Sequence, residues 1–373
     1  MRVIITGGHG FLGWHTAARL RALHEMEVVR LGRAEFADPD GLVQHIRRAD
    51  VVLHLAGVNR AASDEEVRAG NVALATQLAA ALVAASKPVR VVYANSIQAR
   101  GKSPYGCGKA EAGDLIRAAT AAAGGSLADV ILPNLFGEHG RPEYNSFVAT
   151  FCHLIANDGA PSIIQDIEVP LLHAQAAAEV LLSAMIGDQD VVIEPTGEPR
   201  SVSEILDQIR GFHNVYRNGD IPALPDSFSV DLFNTYRSYT FPEQFPRFAT
   251  VHADARGELF ETVRSHGGKG QSFVSVTRPG YTRGEHYHLR KIERFYVVRG
   301  AAEISLRRLL HDEVIRFTVS DDRPGYIDMP TMWVHNLTNV GNNDLVTIFW
   351  TDQLLDPDDP DQYPDRVVQE TRA

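Results

Sequence analysis

The stretch that decides the fold of the N-terminal half is RVIITGGHGFLG, residues 2–13. An apolar run typical of a strand ends in a glycine-rich turn, and an Ala-rich segment of helical composition follows directly. In this context glycines allow a tight turn and a close approach of the backbone to a pyrophosphate at a helix N-terminus. The stretch therefore predicts a dinucleotide site, the alternative being a glycine-rich turn without a ligand. The residues of the site in this turn are Gly7, Gly10, Phe11, Leu12 and Gly13.

Four further apolar runs follow this first strand: EVVRLG, DVVLHLAG, VRVVYANS and ADVILPNLFG. They lack the polar and apolar alternation of a half-exposed strand, which is typical of strands buried on both faces of a parallel sheet. Ala-rich helical stretches separate them. This order predicts an α/β, Rossmann-like, doubly wound parallel sheet.

The pattern changes after about residue 245, where short β-type runs such as QSFVSVTR, RFYVVRG and AAEISLRR recur between turn residues. Runs of this kind without a long helical pattern predict an antiparallel sandwich or barrel. We therefore predict two domains, residues 1–245 and 246–373, joined within the Pro- and aromatic-rich segment 239–248. The acidic, Pro-rich segment 354–366 is expected to be a surface extension.

The bulk properties of the 373-residue chain restrict its partners. A net charge of -11 argues against non-specific binding to nucleic acid or to anionic membranes. The N-terminus enters a strand without a signal-like segment, and no apolar run approaches the ~20 residues of a membrane span. A cytoplasmic protein that binds neither nucleic acid nor membrane is the expectation.

The end of the second predicted strand bears on the choice of cofactor. An acidic residue there would bind the ribose 2′-hydroxyl of NAD, but this sequence has Gly32 followed by Arg33. A guanidinium can pair with a 2′-phosphate, so Arg33 favours NADPH. A solvated surface arginine is the alternative interpretation.

A catalytic set for proton transfer is predicted around SPYGCGK, residues 103–109. Tyr105 and Lys109 lie four residues apart, on one face of a helix, and Ser96 ends the preceding strand. The charge of Lys109 would lower the phenol pKa and anchor the ribose. Tyr105 would then exchange a proton with the substrate oxygen that Ser96 hydrogen-bonds.

With these residues in place, residues 1 to about 245 resemble the extended short-chain dehydrogenase/reductases that act on nucleotide sugars. The matching pieces are TGGHGFLG, HLAG, GNVALATQLA, Ser96, YGCGK and PNLFG. The interval between Ser96 and Tyr105 is short for that family, which leaves the loop over the sugar reduced. The resemblance implies that Leu55, Ala56, Gly57 and Asn71 lie near the cofactor and that Asn134 and Asn145 face the nucleotide sugar; loop capping is the alternative for the last two.

The C-terminal half carries a predicted metal site in GEHYH and the residues after it. His286 and His288 alternate and so project from one face of a strand, and Glu293 and His335 follow along the chain. Three imidazoles and a carboxylate suit a divalent first-row metal, with Zn²⁺ the first expectation. An isolated histidine on a strand is usually structural. Two alternating histidines followed by a glutamate and a further histidine instead favour a metal site.

The spacing of these ligands resembles the cupin barrel. Gly280 and Gly300 flank the first motif, and His335 belongs to the second, which has Met332 where a glycine is usual. The segment DARGELFE further resembles the entry segment of dTDP-4-dehydrorhamnose 3,5-epimerase-like cupins. That resemblance implies a substrate contact for Arg256, with a surface charge on a β-turn as the alternative.

A reductase domain followed by such a cupin resembles a family of two-domain capsular polysaccharide synthesis enzymes over essentially the whole chain. The resemblance implies C3 epimerisation of a UDP-linked 4-keto-6-deoxy-2-acetamido-hexose in the cupin domain. Reduction of the C4 ketone with NADPH would then give a UDP-2-acetamido-2,6-dideoxy-L-talose. Cupins of this type commonly pair edge strands, so a homodimer through the cupin domain is expected by analogy.

Three alternatives stay open on sequence alone. The chain could be a plain nucleotide-sugar reductase whose cupin metal is structural or dimerising, an iron dioxygenase, or a nucleotide sensor without catalysis. The acid and base of the epimerisation are also unassigned. Lys291, Tyr287 and Tyr296 lie on or beside the strands that carry the ligands, although alternation turns some of them outward.

Overall fold

The computed structural model describes residues 1–22 and 26–369. It divides into two compact units, and each is described by itself. The N-terminal unit comprises Met1–Thr150 with Ile163–Val202, and the C-terminal unit comprises Phe151–Ser162 with the chain from Ser203 onward.

The elements up to residue 201 alternate between strand and helix along most of their length, as the sequence predicts. In chain order they are β1 (Arg2–Thr6), α1 (Phe11–Ala22), β2 (Glu27–Leu31), α2 (Arg33–Phe36), α3 (Pro39–Arg48), β3 (Val51–His54), α4 (Asp64–Ala85), β4 (Arg90–Ser96), a 3₁₀ turn (Ile97–Arg100), α5 (Pro104–Ala122), β5 (Ser126–Leu132), β6 (Asn134–Phe136), α6 (Phe147–Ala156), β7 (Glu168–His173), α7 (Ala174–Ala184), β8 (Val191–Ile193) and β9 (Glu198–Ser201).

The main sheet of this unit is parallel and has the strand order β2-β1-β3-β4-β5-β8. This confirms the predicted doubly wound α/β fold. Thr6 pairs with Leu31 on one side and with His54 on the other, so the carboxyl ends of the first three strands are level. The chain order reverses at β1, and ligands of open α/β sheets bind in the crevice beside such a reversal. A small second sheet, β6-β7-β9, completes the unit.

Helix α4 is the one described helix that is long and apolar enough to cross a membrane by length and composition. The chain therefore contains a longer apolar segment than the sequence analysis expected. In this fold the helix lies against α3 and α5, and it buries Ala75, Leu78 and Leu82 in the core over the sheet. A core helix meets the same criteria, which makes this weak evidence for a membrane span.

The elements from residue 202 onward are two helices followed by a succession of strands. They are α8 (Val202–Tyr216), α9 (Ser227–Arg237), β10 (Arg247–Phe248), β11 (His252–Asp254), β12 (Gly257–Leu259), β13 (Gln271–Thr277), β14 (Thr282–Tyr287), β15 (Glu293–Arg299), β16 (Ala301–Arg308), β17 (Val314–Ser320), β18 (Gly325–Met329), β19 (Trp333–Asn339), β20 (Leu345–Thr351) and β21 (Tyr363–Pro364).

Two antiparallel five-stranded sheets form the body of the C-terminal unit, with orders β10-β18-β15-β20-β13 and β17-β16-β19-β14-β21. The all-β prediction for this half is therefore confirmed. Gly280 and Gly300 adopt φ values of +76° and +92°, which lie in the left-handed region where only glycine is unstrained. The backbone conformation therefore explains why both positions of the first cupin-like motif are glycine.

Helices α8 and α9 belong to the same compact unit as these sheets. The Tyr216 hydroxyl donates to Asp328 at 2.7 Å, Asn234 Nδ2 donates to the Arg290 carbonyl at 2.8 Å, and Arg237 donates to the Met329 carbonyl at 2.6 Å. The compact units therefore divide near residue 202, whereas the sequence analysis placed its domain boundary at 245. The domain boundary itself stays a prediction.

Candidate functional site

The glycine-rich turn after β1 is so tight that it requires glycine. Gly7 has a φ of +68°, and a Cβ there would lie 2.7 Å from the backbone of Ala56. A Cβ on Gly13 would lie 2.2 Å from the carbonyl oxygen of Gly7. Helix α1 begins at Phe11, so its N-terminal N–H groups face the turn, as a pyrophosphate-binding turn requires.

The loop after β3 is held beside this turn by Asn71. The buried Asn71 amide donates to the Val58 carbonyl at 2.7 Å and accepts from the Val58 N–H at 3.2 Å. The Leu55 N–H donates to the Thr6 carbonyl at 3.1 Å. The loop with Leu55, Ala56 and Gly57 therefore lies at the carboxyl end of β1, where the resemblance places the cofactor.

Arg33 lies at the end of β2, as predicted, and it is exposed. Among the described residues its guanidinium makes neither a hydrogen bond nor an ion pair, whereas the nearby Glu35 carboxylate accepts the Gly32 N–H at 2.6 Å. The one acidic side chain beside Arg33 on α2 is therefore engaged with the backbone. An uncommitted guanidinium here suits a phosphate on the adenosine ribose.

Ser96 and Tyr105 meet because the chain between them folds back tightly. Ser103 caps α5 by accepting the Gly106 N–H at 3.1 Å. A Cβ on Gly106 would lie 2.1 Å from the carbonyl oxygen of Gln98, so only glycine lets the start of α5 lie against the 3₁₀ turn. In this arrangement the Ser96 hydroxyl lies close enough to the Tyr105 phenol to lower its pKa.

Burial dominates the electrostatics of this pair and its lysine. Burial raises the pKa of Tyr105, and the hydrogen bond from Ser96 opposes that rise. Lys109 is buried, donates to the Ala94 carbonyl at 2.6 Å and lies 4.3 Å from the Tyr93 ring centroid. Burial lowers the pKa of Lys109 to about 7 although Asp129 opposes it. Tyr105 and Lys109 thus have perturbed proton affinities near the end of β4, which is typical of an acid–base site. The expected lowering of the phenol pKa by Lys109 is wrong, because burial raises that pKa.

The two predicted sugar-facing asparagines lie at the same edge of the sheet. Ser96 pairs with Leu132 in register, and Asn134 follows two residues later, half-buried. Asn145 is exposed in the loop before α6. Neither side chain is hydrogen-bonded to another described residue, so capping does not account for them, and their contact with a sugar stays a prediction.

Next to Asn145, two arginines that the sequence analysis did not single out converge on one aromatic ring. The guanidinium carbons of Arg60 and Arg141 lie 5.9 Å and 5.0 Å from the centroid of the Tyr144 ring. Arg60 also donates to the Glu143 carbonyl at 3.2 Å. Neither guanidinium has a carboxylate partner within the described part of the chain. Two unneutralised cations held together at the carboxyl edge of the sheet form a site for an anion.

In the C-terminal unit, the four predicted metal ligands form one cluster. Each offers a ligand atom, and these atoms all lie within 4.8 Å of one another. Oε2 of Glu293 lies 2.8 Å from Nε2 of His288, 3.4 Å from that of His335 and 4.0 Å from that of His286. Ligands of a tetrahedral zinc ion are about 3.4 Å apart, given Zn–N bonds of about 2.0–2.1 Å. The residues present therefore fit a divalent cation.

Two of the imidazoles are oriented by backbone carbonyls. Nδ1 of His288 donates to the carbonyl of Asp361, and Nδ1 of His335 donates to the carbonyl of Trp333 at 2.9 Å. A carbonyl only accepts, so each ring carries a proton on Nδ1 and directs Nε2 toward the cluster. Nε2 of His288 there donates to Oε2 of Glu293 at 2.8 Å, a proton that a bound cation would replace. Nε2 of His335 is buried and has no hydrogen-bond partner in good geometry. A bound cation would satisfy that nitrogen.

Burial and mutual charge set the proton affinities in the cluster. Burial lowers the pKa of His335 to about 4. Burial alone would raise the pKa of Glu293, but the charge of His288 and the neighbouring imidazoles hold it well below its usual range. Burial opposes protonation of His288, yet the Glu293 carboxylate raises the pKa of that imidazole. A neutral imidazole and an ionised carboxylate are the forms that bind a cation, so a cation would replace the His288 proton.

The second cupin-like motif departs from glycine at Met332, and the structure shows what that departure does. Met332 is fully buried with a φ of +60°, the left-handed backbone that a glycine would adopt without strain. Its N–H donates to the His288 carbonyl at 2.7 Å. The substitution therefore affects the turn, as expected, and leaves the ligands in place.

The three residues considered as the acid or base of epimerisation do not point into the cluster. Tyr287 alternates with the two ligand histidines and stacks on Tyr363 with ring centroids 5.4 Å apart. Tyr296 lies on the opposite face of β15 from Glu293 and stacks on Tyr326 at 5.8 Å. The Lys291 ammonium donates to the Pro360 carbonyl. Because side chains alternate between the two faces of a strand, both tyrosines face away from the cluster, and neither is placed to act as the acid or base there.

Arg256 lies in the turn of the exposed β11–β12 hairpin. Its side chain is 90% exposed and pairs with Asp254 at 2.6 Å. The expected substrate contact of Arg256 stays a prediction. The expectation for segment 354–366 is wrong in part, because Asp361 is buried and Tyr363–Pro364 pairs with β14 beside the ligand histidines. No local pattern in the sequence signals this return of the chain.

A dinucleotide turn with a Ser-Tyr-Lys set, followed by a β unit with a His₃Glu cluster, defines a reductase-type α/β enzyme fused to a cupin-like domain. The NAD dependent epimerase/dehydratase family model matches residues 3–190, and the polysaccharide biosynthesis C-terminal domain model matches residues 252–363. The chain belongs to this family of epimerases and dehydratases and carries the polysaccharide biosynthesis domain after it.

Individual relatives share both halves. The chain is 31% identical over 367 residues to the UDP-2-acetamido-2,6-beta-L-arabino-hexul-4-ose reductase of Pseudomonas aeruginosa, covering 97% of this chain and 98% of that protein. It matches the crystal structure of the capsular polysaccharide assembling protein CapF from Staphylococcus aureus with a TM-score of 0.63 and 31% identity, covering 98% of this chain and 100% of that one.

A shorter match links 120 residues, at 27% identity, to the spore coat polysaccharide biosynthesis protein SpsL of Bacillus subtilis, covering 30% of this chain and 80% of that protein. These findings confirm the resemblance seen in the sequence. The chain is an enzyme of the nucleotide-sugar reductase and epimerase type in polysaccharide biosynthesis.

Proposed function

We propose that the chain is a bifunctional enzyme acting on a UDP-4-keto-6-deoxy-2-acetamido-hexose. The C-terminal unit epimerises C3, and the N-terminal unit reduces the C4 ketone with NADPH to a UDP-2-acetamido-2,6-dideoxy-L-talose. The observation that carries the proposal is the presence, in one chain, of an assembled Ser96-Tyr105-Lys109 set and an assembled His₃Glu cluster. The name of the Pseudomonas aeruginosa relative, a hexul-4-ose reductase, supports the same ketone substrate.

In the reduction, bound NADPH supplies the hydride for C4. Tyr105 donates the proton to the C4 oxygen, since burial keeps its pKa high and the phenol protonated. Ser96 lies beside the phenol and would hydrogen-bond the same oxygen. Lys109 lies one helical turn from Tyr105 on α5, beside the site for the nicotinamide ribose. Arg33, free of other partners, supports the phosphorylated form of the cofactor.

The substrate is an anion, and the paired arginines account for its binding. A nucleoside diphosphate carries its charge on the pyrophosphate, which suits two guanidiniums without carboxylate partners. Arg60 lies in the loop that follows β3 of the main sheet, and Arg141 lies in the loop that follows β6 of the small second sheet. We assign them to the pyrophosphate, and we assign the neighbouring Asn145 and Asn134 to the nucleotide and the sugar.

In the epimerisation, the C4 ketone makes the C3 proton acidic. A divalent cation held by His286, His288, Glu293 and His335 would stabilise the enolate charge, and Zn²⁺ fits these ligands. The chain orients the imidazoles through backbone carbonyls and keeps the carboxylate ionised. One observation favours the alternative of a structural metal beside a plain reductase, namely that Tyr287 and Tyr296 face away from the cluster.

We further propose that the C-terminal unit forms a homodimer in the cytoplasm. Strand β13 ends its sheet, so its outer backbone groups lack a neighbouring strand. Val274 and Val276 on this strand are 65% and 52% exposed. A long apolar edge strand pairs readily with a second copy. Light scattering of Val274→Lys tests this, and an unchanged dimer mass would contradict pairing through β13.

The decisive experiment supplies the UDP-4-keto sugar and NADPH in deuterated water. Deuterium at C3 together with NADPH consumption supports both steps, and consumption without deuterium reduces the enzyme to a reductase. Tyr105→Phe should stop NADPH consumption and leave C3 exchange, whereas His288→Ala should stop C3 exchange and still consume NADPH when the C3-epimerised ketone is supplied. C3 exchange that persists in a folded, metal-free His288→Ala would establish the structural-metal alternative.

A further inference from the structure

We propose that Asp361 is a positioning residue that holds His288 in its metal-binding orientation. It acts through a C-terminal strap, defined as residues 360–367, which returns to the barrel beside the cluster. The inference rests on the proposal that the cluster binds a divalent cation. It deepens that proposal, because Asp361 is not itself a ligand and lies 73 residues after His288.

The Asp361 carboxylate organises the turn that joins two of the ligands. It accepts the backbone N–H groups of Leu289 at 2.9 Å, Arg290 at 2.9 Å and Lys291 at 2.7 Å. These three residues connect β14, which ends next to His288, with β15, which begins at Glu293. A carboxylate that accepts three N–H groups therefore determines the spacing between His288 and Glu293.

The backbone of the same residue orients the imidazole. The Asp361 carbonyl accepts the Nδ1 proton of His288, so Nε2 is the ring nitrogen that faces Glu293, at 2.8 Å from Oε2, and the one that a cation would bind in place of its proton. Asp361 has a φ of +42°, a left-handed conformation that is unfavourable for a side chain bearing a Cβ, although aspartate tolerates it better than most. Such strain persists where surrounding contacts enforce it, and it concentrates at functional positions.

The strap is fixed independently of the cluster. The Pro360 carbonyl accepts the Lys291 ammonium, and the Val367 N–H donates to Glu285 at 2.7 Å. Arg307 is buried in the barrel and donates to the Val367 carbonyl at 2.9 Å. With both ends held, Asp361 presents its carbonyl to His288 before a cation arrives. Groups that orient metal-bound histidines in this way commonly affect metal affinity by 10–100-fold.

The test measures metal affinity in the full-length chain stripped of metal. Asp361→Ala, Asp361→Asn and Asp361→Gly are compared with Asp359→Ala, an exposed aspartate two residues earlier in the same segment. Zn²⁺ affinity is measured by chelator competition, and the Co²⁺ absorption spectrum reports the ligand geometry. NADPH binding and the thermal transition of the metal-free chain report folding.

We expect Asp361→Ala and Asp361→Gly to weaken Zn²⁺ binding about 10–100-fold and to alter the Co²⁺ spectrum. Asp361→Gly relieves the backbone strain, so an equal loss there assigns the effect to the carboxylate. Asp361→Asn retains one acceptor oxygen at nearly the same size and should lose less, which serves as the rescue if the alanine variant unfolds. Asp359→Ala should bind as the wild type does.

Wild-type affinity in a folded Asp361→Asn and Asp361→Ala would overturn the positioning role alone. A wild-type chain that binds neither Zn²⁺ nor Co²⁺ would overturn both this inference and the metal part of the proposed function. If the wild type binds metal and Asp361→Ala loses it, but no C3 exchange occurs, the positioning role stands and only the epimerase proposal fails.

Discussion

Nε2 of His335 lies 3.4 Å from Oε2 of Glu293, buried and without a well-formed hydrogen bond. A buried polar atom left in this way costs free energy unless something else satisfies it. We therefore expect metal removal by a chelator to lower the thermal stability of the chain, and His335→Ala to bind Zn²⁺ at least about 100-fold more weakly. His311→Ala removes an exposed histidine outside the cluster and serves as the control. Equal Zn²⁺ affinity in the two variants would contradict the site.

Tyr105→Phe should abolish ketone reduction while preserving the binding of NADPH. Only the phenol proton is lost, and positioned proton donors typically contribute 10²–10⁴-fold to the rate. We expect kcat to fall about 10²-fold or more and the NADPH dissociation constant to stay within about twofold. Tyr281→Phe, at an exposed tyrosine of the other unit, is the control. A Tyr105→Phe enzyme with normal kcat would remove this residue from the chemistry.

Arg33→Ala should reduce the preference for NADPH over NADH. The guanidinium has no competing partner, so its loss should weaken NADPH binding by roughly tenfold, an exposed charge-assisted contact of about 1.4 kcal/mol. NADH binding should be unchanged, because it lacks the 2′-phosphate. Arg48→Ala, at an exposed arginine on α3, controls for net charge. A parallel loss for both cofactors would show that Arg33 acts through structure instead.

Arg60→Ala and Arg141→Ala should raise the KM for the UDP-sugar while leaving the KM for NADPH unchanged. Each removes one cation from the pair over Tyr144, and we expect a roughly tenfold effect for each that shrinks with added salt. Inhibition by UDP should weaken in parallel, since UDP carries the same pyrophosphate. An effect on kcat alone would argue against this assignment.

Glu138→Gln should make the stability of the N-terminal unit less dependent on acid pH. Burial alone would raise the pKa of Glu138, but His173, 3.0 Å away, and its hydrogen bond hold it at about 2. The folded pKa lies below the ordinary value of 4.5, so the ionised carboxylate stabilises the fold above pH 4.5. That contribution, about 3 kcal/mol, is lost as the pH falls from 4.5 toward 2.

Denaturant unfolding at neutral pH and near pH 3 measures this difference, with the exposed Glu65→Gln as the control. The variant should be less stable than the wild type at neutral pH, and the gap should narrow in acid. A gap of the same size at both pH values would mean that the Glu138 charge contributes nothing.

Much of the site was predictable because its signals are local. The turn around Gly7 and Gly13 admits only glycine, and the alternation of His286 with His288 follows from the two-residue period of a strand. Tyr105 and Lys109 share a helix face for the equivalent reason. In each case a short-range constraint on the backbone appears directly as a residue type at a spacing.

Other features could not be predicted, because they depend on contacts between distant parts of the chain. Arg60 and Arg141 meet at Tyr144 through loops that follow different strands. The sequence analysis assigned helices α8 and α9 to the α/β half, yet they form hydrogen bonds with the strands of the C-terminal unit. Helical periodicity reports that a face is buried and not which surface buries it.

The sequence by itself determined the two fold classes and the glycine-rich turn, and it singled out the candidate catalytic trio and the four candidate ligands. Only the tertiary structure decided that Asp361 supports His288, that the tyrosines beside the ligands face away, and that the acidic tail is partly buried. Local spacing constrains φ, ψ and the face of an element. The packing of the whole unit determines which distant residue forms the hydrogen bond with a buried imidazole.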